Sequence, residues 1–210
     1  MEFKLFGLNL DLWKLHTPGD YLQFFLFLVG GILLLRYATK RLGKKRNDVS
    51  AAQRVGAKLQ KLGKKACVLL TSSVLPQGDG HADELFVSPR GVFAVRTVGW
   101  GYRVQGSIRA AEWIVKDNQE TRRIPNPLKQ AQLAAAAVET ALRENAVADV
   151  TVLPMVVFAD PFDNARFNLE GGAQTYAFNE LKKWYKSLPE NAVSPETIER
   201  IAGVFAKQSK

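Results

Sequence analysis

Residues 81–98 read HADELFVSPRGVFAVRTV, and the fold class turns on how this stretch is interpreted. Glu84–Val87 and Val92–Val98 are runs rich in β-branched and aromatic residues, and Ser88-Pro89-Arg90-Gly91 between them has turn chemistry. The stretch therefore predicts strand, turn and strand. Upstream, Val49, Ala52, Val55, Leu59 and Leu62 recur on one helical face, with starts available at Asp48 or Ser50 and a stop at Gly63. Ala66–Leu70 then predicts a short strand and residues 72–81 a loop. Downstream, Arg103–Gln105 and Glu112–Lys116 predict short strands on either side of Gly106. Asn126-Pro127 opens an alanine-rich helix over Leu128–Asn145, with proline at a first-turn position where its missing N–H costs nothing. Val150–Phe158 is a nearly continuous apolar run, as in a strand buried on both faces. A short strand at Gln174–Phe178 and helices near Asn179–Lys186 and Ser194–Lys207 complete the order. Helix, strands, helix, strand and helices indicate an α/β or α+β domain over residues 50–210.

The whole chain has 210 residues, 47% of them hydrophobic, which excludes a disordered tail. Cys67 is the only cysteine, so a disulfide scaffold is excluded, and with only His16 and His81 beside it a four-ligand zinc site of His and Cys cannot be assembled. The net charge of +9 invites a nucleic-acid reading, yet +5 of it belongs to the first 46 residues and only +4 to the remaining 164. From Tyr21 to Leu35 there is no charge. With Arg36 able to snorkel, Tyr21–Thr39 is expected to be a transmembrane helix, and the KRLGKKR that follows reads as stop-transfer. Six basic residues from Arg36 to Arg46 follow the apolar core and two, Lys4 and Lys14, precede it. That asymmetry predicts an outside N-terminus, a basic linker over 40–49 and a cytoplasmic main domain, hence a single-pass protein of a bacterial inner membrane. For residues 1–19 an interfacial helix ended by Pro18-Gly19 is expected, against which Leu8, Leu10 and Leu12 alternate as in a strand; packing on a partner subunit is the other reading.

Gly56, the strand HADELFVSPRGVFAV, the Trp100–Trp113 stretch around Gly106, NPLKQA at Asn126–Ala131 and the strand TVLPMVVF together resemble the nuclease-related domain, NERD, over roughly residues 50–160. The resemblance implies a fold like that of restriction-endonuclease-type PD-(D/E)xK enzymes. Their chemistry needs carboxylates converging on a divalent metal and a lysine near the attacking water. Against the family pattern, an acid after the first-helix glycine is Ala57, the first-strand aspartate is kept as Asp83, and Glu-x-Lys in the next strand is Arg96-Thr97-Val98. Gln130 matches the family's glutamine. A permanent cation at 96 repels a divalent ion, so Asp83 is expected to pair with Arg96 rather than hold Mg²⁺. Glu84 should face the opposite side of the sheet, and His81 the same side as Asp83. A degenerate site follows, with no cofactor, and Mg²⁺ only if the chain is a working nuclease with rearranged residues.

Other motifs carry less. Ser72, Ser73 and Ser88 lack a nucleophile-elbow context, and Cys67 lies in an apolar run. Asp160-Pro161-Phe162-Asp163 reads as a turn rather than a metal loop. Three functions are carried forward: a membrane-anchored, catalytically inactive binding module, a structural subunit of a membrane complex, and an active metal-dependent nuclease. For the first, Arg54, Lys58, Lys61 and Lys65 on one helix, with Arg122 and Arg123, are candidate contacts to nucleic acid or anionic lipid. For the second, Phe162, Phe167, Trp184 and Tyr185 are candidate interface anchors.

Overall fold

The computed structural model describes residues 3–5, 8–10, 18–42, 46–76, 78–147, 149–171 and 174–206. In chain order the elements are β1 (Phe3–Leu5), β2 (Leu8–Leu10), α1 (Pro18–Leu42), α2 (Asp48–Gly63), β3 (Val68–Thr71), β4 (Glu84–Ser88), β5 (Gly91–Val98), β6 (Arg103–Ser107), β7 (Glu112–Lys116), β8 (Thr121–Pro125), α3 (Pro127–Glu144), β9 (Val152–Phe158), β10 (Arg166–Glu170), β11 (Thr175–Ala177), α4 (Leu181–Ser187) and α5 (Pro195–Ala206). They fall into two compact units, residues 1–44 and 45–210.

In the first unit, β1 and β2 pair antiparallel, Phe3 opposite Leu10 and Leu5 opposite Leu8. The helix expected over residues 1–19 is thus corrected where it is described: the leucine alternation wins, and Pro18-Gly19 opens α1 instead of ending a helix, since proline is favoured in a first turn. α1 contains the helix expected over Tyr21–Thr39. Its side chains from Phe24 to Leu28 and from Ile32 to Leu35 are exposed, Leu34 by 70%. Among the described residues no helix is long and apolar enough to cross a membrane, so the helix expected over Tyr21–Thr39 is present while the transmembrane span expected of it is not found. Gln23 and the side chains of residues 38–45 lie outside the description.

The second unit is mixed α+β. Its main sheet runs β11-β9-β5-β4-β3; β9 lies parallel to both β11 and β5, and β4 antiparallel to both β5 and β3. A second sheet runs β10-β6-β7-β8. Side chains alternate across the main sheet. Phe86, Phe93 and Val95 pack on one side with Val55 and Leu59 of α2 and Trp184 of α4. Leu85, Val87, Val92 and Ala94 pack on the other with Val138 and Leu142 of α3 and Phe205 of α5. A third cluster joins Val98, Val156 and Phe158 to Trp113 and Val115 of the smaller sheet and to Leu128 of α3.

Local rules set the element ends near the site. Asn47 accepts from the Ser50 N–H at 2.7 Å and caps α2, and Asn126 accepts from the Leu128 and Lys129 N–H groups at the head of α3. The Ser88 hydroxyl donates to the Gly91 carbonyl across the β4–β5 turn, where Gly91 has φ +141. Ser88 is therefore a turn residue. The strands β8 and β10 were not foreseen: β8 is exposed at every position but Ile124, and β10 alternates exposed and half-buried positions over only five residues.

Candidate functional site

β4 begins at Glu84 opposite Val95, but β5 continues to Val98 beside β9. Where β4 and β5 part, the side chain of Asp83 takes over from the ladder. Its Oδ2 accepts from the Thr97 N–H at 2.6 Å and from Arg96 Nη1 at 2.8 Å, and its Oδ1 lies 3.2 Å from His81 Nε2. The predicted pairing of Asp83 with Arg96 is present, and His81 is on the expected side. Arg96 is a hub. Its Nη1 also donates to the Thr97 carbonyl at 2.9 Å, its Nε to Gln130 Oε1 at 3.3 Å, and its Nη2 to Asp48 Oδ2 at 3.2 Å. Asp48 Oδ1 accepts from the Gly99 N–H at 2.8 Å, which pins the head of α2 to the end of β5. A Cβ at 99 would stand 2.3 Å from the Asn47 carbonyl oxygen, so glycine permits this approach.

α3 supplies the far wall. The His81 N–H donates to the Gln130 carbonyl, and a Cβ on Gly80 would meet the Ala134 nitrogen at 2.3 Å, so only glycine lets the loop lie on the helix. Arg96 and Asp83 are each about 15% exposed at the side chain, Arg96 at 15% and Asp83 at 14%. Chemically, one carboxylate is neutralised by a guanidinium and satisfied by a backbone donor. Of the other two positions that the resemblance singled out, Val98 is buried among Trp100, Val104 and Leu128, and Ala57 is exposed on α2, across the sheet from Asp83. Among the described residues no group of three His, Cys, Asp or Glu could hold a metal ion.

Glu84 points to the other face, as alternation requires, and is 5% exposed. Its Oε2 has no hydrogen-bond partner, and neither does the buried hydroxyl of Thr97 on the same face. Burial, reinforced by the charge of Asp83, pushes the carboxyl up to about 7. A Cβ on Gly56 would stand 2.1 Å from Glu84 Oε1, so the helix glycine makes the space this carboxyl fills.

The basic candidates divide. Arg54 Nη2 donates to the Ala159 carbonyl, and Lys58 Nζ donates to the Phe178 carbonyl at 2.6 Å while sitting over the Phe178 ring. Burial lowers the pKa of both. Their charged ends fasten α2 to the chain leaving β9 and to the head of α4. Arg122 is bidentate with Glu120 at 2.8 Å and lies over Trp100. Lys61, Lys65 and Arg123 are exposed. Of the aromatic candidates, Trp184 is 8% exposed against Phe93 and Tyr176, Phe167 packs on Phe158, Tyr185 packs on Phe86, and Phe162 lies under the Arg46 guanidinium. Trp184 is thereby buried within this chain, and Phe167 and Tyr185 are partly buried against its core.

Arg46, counted with the linker in the sequence, belongs to the second unit. It bonds Asp117 and lies 3.0 Å from Asp160. Asp160 Oδ1 also accepts from the Phe162 N–H at 2.8 Å, the turn expected there. The half-buried Cys67 thiol donates to the Lys64 carbonyl, and burial raises its pKa. Sequence reasoning missed Asp48 and Gly99. Asn47-Asp48 is a visible helix-start signal, but nothing in it announces a reach to residue 96.

The fold and this cluster define a class: a mixed sheet between helices, with an aspartate at the point where two central strands part. Residues 48–159, just over half of the chain, match the family model for the nuclease-related domain, and the chain belongs to the NERD family. No curated protein and no solved structure matches it.

Proposed function

We propose that this chain is a NERD-family member that binds without cutting, held by α1 at the cytoplasmic face of a bacterial inner membrane. The observation that carries the first half is the Arg96 guanidinium, 2.8 Å from Asp83, where the family pattern has a carboxylate. A metal-dependent nuclease needs paired carboxylates to hold its cation and a cation-free path to it. Here Asp83 works as a backbone acceptor and ion-pair partner. Nucleic acid is the ligand class the family suggests, and a protein of a membrane complex is the other partner class. The second half is supported by α1, whose exposed apolar side chains from Phe24 to Leu35 carry no charge and need a nonaqueous cover.

The decisive measurement incubates the purified chain with plasmid, linear duplex and single-stranded DNA in Mg²⁺ or Mn²⁺. No cleavage is expected, with or without Asp83. Metal-dependent cleavage abolished by Asp83→Ala would establish the active-nuclease reading instead. The paired change Arg96→Glu, Val98→Lys restores the family pattern, and Arg96→Glu alone sets a new carboxylate between Asp48 and Asp83, so a Mg²⁺-induced rise in Tm is expected for that variant and not for the wild type. Resistance to carbonate extraction tests the anchor. A mobility-shift salt series tests nucleic-acid binding, and purification of the full chain in mild detergent identifies a stable protein partner.

A further inference from the structure

The +4 carried by residues 47–210 conceals a strong asymmetry. Residues 48–66, α2 and the turn after it, hold five basic residues against Asp48, and residues 178–188, around α4, hold three against Glu180. Those two segments carry +6 between them, so everything else after residue 46 carries −2. Both segments cover the same side of the main sheet. A Cβ at Gly63 would lie 3.2 Å from the ring of Phe86, and the tilted ring of Tyr185 is centred 5.9 Å from that ring, so the end of α2 and the second half of α4 meet over one strand.

Arg54 and Lys58 spend their charge on carbonyls within the fold, as described above. The charges left pointing outward are Lys61, Lys64, Lys65, Lys182, Lys183 and Lys186, all exposed. Lysines at a helix C-terminus favour the helix dipole, which accounts for some of those on α2. It does not account for Lys182 and Lys183, which stand in the first turn of α4, where the dipole disfavours a cation.

The chemistry of the face selects its partner. Its exposed charges are ammonium groups, compact points on flexible stems, and the exposed residues that precede them on α2 are Val49, Gln53, Ala57 and Gln60. Arg90, which reaches the end of α4, is engaged with the Tyr185 and Leu188 carbonyls and with Glu190, so its fork is taken, and no exposed aromatic stands among the described lysines to stack on a base. A surface of point charges suits a fluid array of anionic headgroups, where position is not specified. The chain also brings such an array close. Only residues 43–47 separate α1 from α2, a link of at most roughly 20 Å when extended. A membrane-seated α1 therefore keeps the lysine face within reach of the leaflet at high effective concentration.

We infer that the lysine face of α2 and α4 docks on the anionic phospholipid headgroups of the membrane, an inference that rests on the anchor reading above. Docking by this face leaves the opposite side of the sheet, with α3, turned away from the lipid.

The test reconstitutes the full chain in nanodiscs of phosphatidylcholine alone or of an equal mixture with phosphatidylglycerol, and follows acetylation of each lysine by mass spectrometry. In the anionic discs the six lysines should react roughly fivefold more slowly, with protection lost in high salt, and Lys129 on α3 should be unchanged. Charge reversal by Lys61→Glu, Lys65→Glu, Lys182→Glu and Lys186→Glu should abolish protection of Lys64 and Lys183 while leaving Tm unchanged. Incorporation with equal labelling in both lipids would overturn the inference while leaving the anchor intact. A short duplex DNA that protects these lysines where the anionic lipid does not would overturn it in favour of nucleic acid. A chain that enters neither disc refutes the anchor. In that case co-sedimentation with phosphatidylglycerol vesicles but not phosphatidylcholine vesicles would still support the face, and sedimentation with neither would overturn it.

Discussion

Asp83 and Glu84 are neighbours in sequence and opposites in environment. Asp83 faces α3, where a backbone N–H and a guanidinium satisfy its carboxylate. Glu84 faces α2, in an apolar layer with one oxygen lacking any partner. One step along a strand thus separates an ion-paired, structural acid from one whose burial opposes ionisation. The difference teaches that the count of acidic residues near a family motif says little about metal binding. What matters is which face each acid occupies and what already sits there.

The largest expected effect breaks the satisfied side. Asp83→Ala leaves Arg96 partly buried with its closest anion gone and the Thr97 N–H unpaired, so stability should fall by about 3–4 kcal/mol and Tm by roughly 6–12 °C, read by thermal unfolding followed by circular dichroism.

On the unsatisfied side the sign reverses. Because the Glu84 carboxyl is pushed up to about 7 from an ordinary 4.5, the folded protein holds a proton there that the unfolded chain releases earlier. Stability from this group is full below the ordinary value and is lost as pH rises through about 7. Glu84→Gln should therefore raise stability at pH 8 by about 2–3 kcal/mol and flatten the profile between those limits. Urea unfolding across that pH range reads it, and an unchanged slope in the variant would show that the carboxyl ionises freely.

Gly56→Ala sharpens the same contrast. The new methyl collides with Glu84 Oε1, for a loss of about 2 kcal/mol, and Glu84→Ala in the same chain should return most of it; additive losses in that double-mutant cycle would separate the two residues. The smallest effect is expected at Asp48, whose side chain is 46% exposed beside Arg96. Asp48→Asn should cost about 1 kcal/mol or less, mostly through the head of α2.

Much of the main sheet could be read directly from sequence because periodicity reports burial. β7 was placed to the residue, and α2, β4, β5, α3 and β9 to within two residues at either end. The edge strands β8 and β10 escaped because β8, exposed at every position but Ile124, leaves no alternation to read, and β10 alternates over only five residues. At the site, the Asp83–Arg96 pair followed from charge, and Glu84's opposite direction from strand alternation. Asp48 as a second anion on Arg96, Gly56 as the space for Glu84, and the inward use of Arg54 and Lys58 did not. Each joins residues dozens of positions apart, and no local pattern encodes that distance.

The sequence alone determined the fold class and the family signature, because these depend on residue type and short-range order. Tertiary structure alone decided where charge is spent. It turned Arg54, Lys58 and Arg122 to partners within the fold, and gathered six lysines from two distant segments onto one face. A net charge is a sum over the chain and carries no direction, whereas a face exists only once helices have packed.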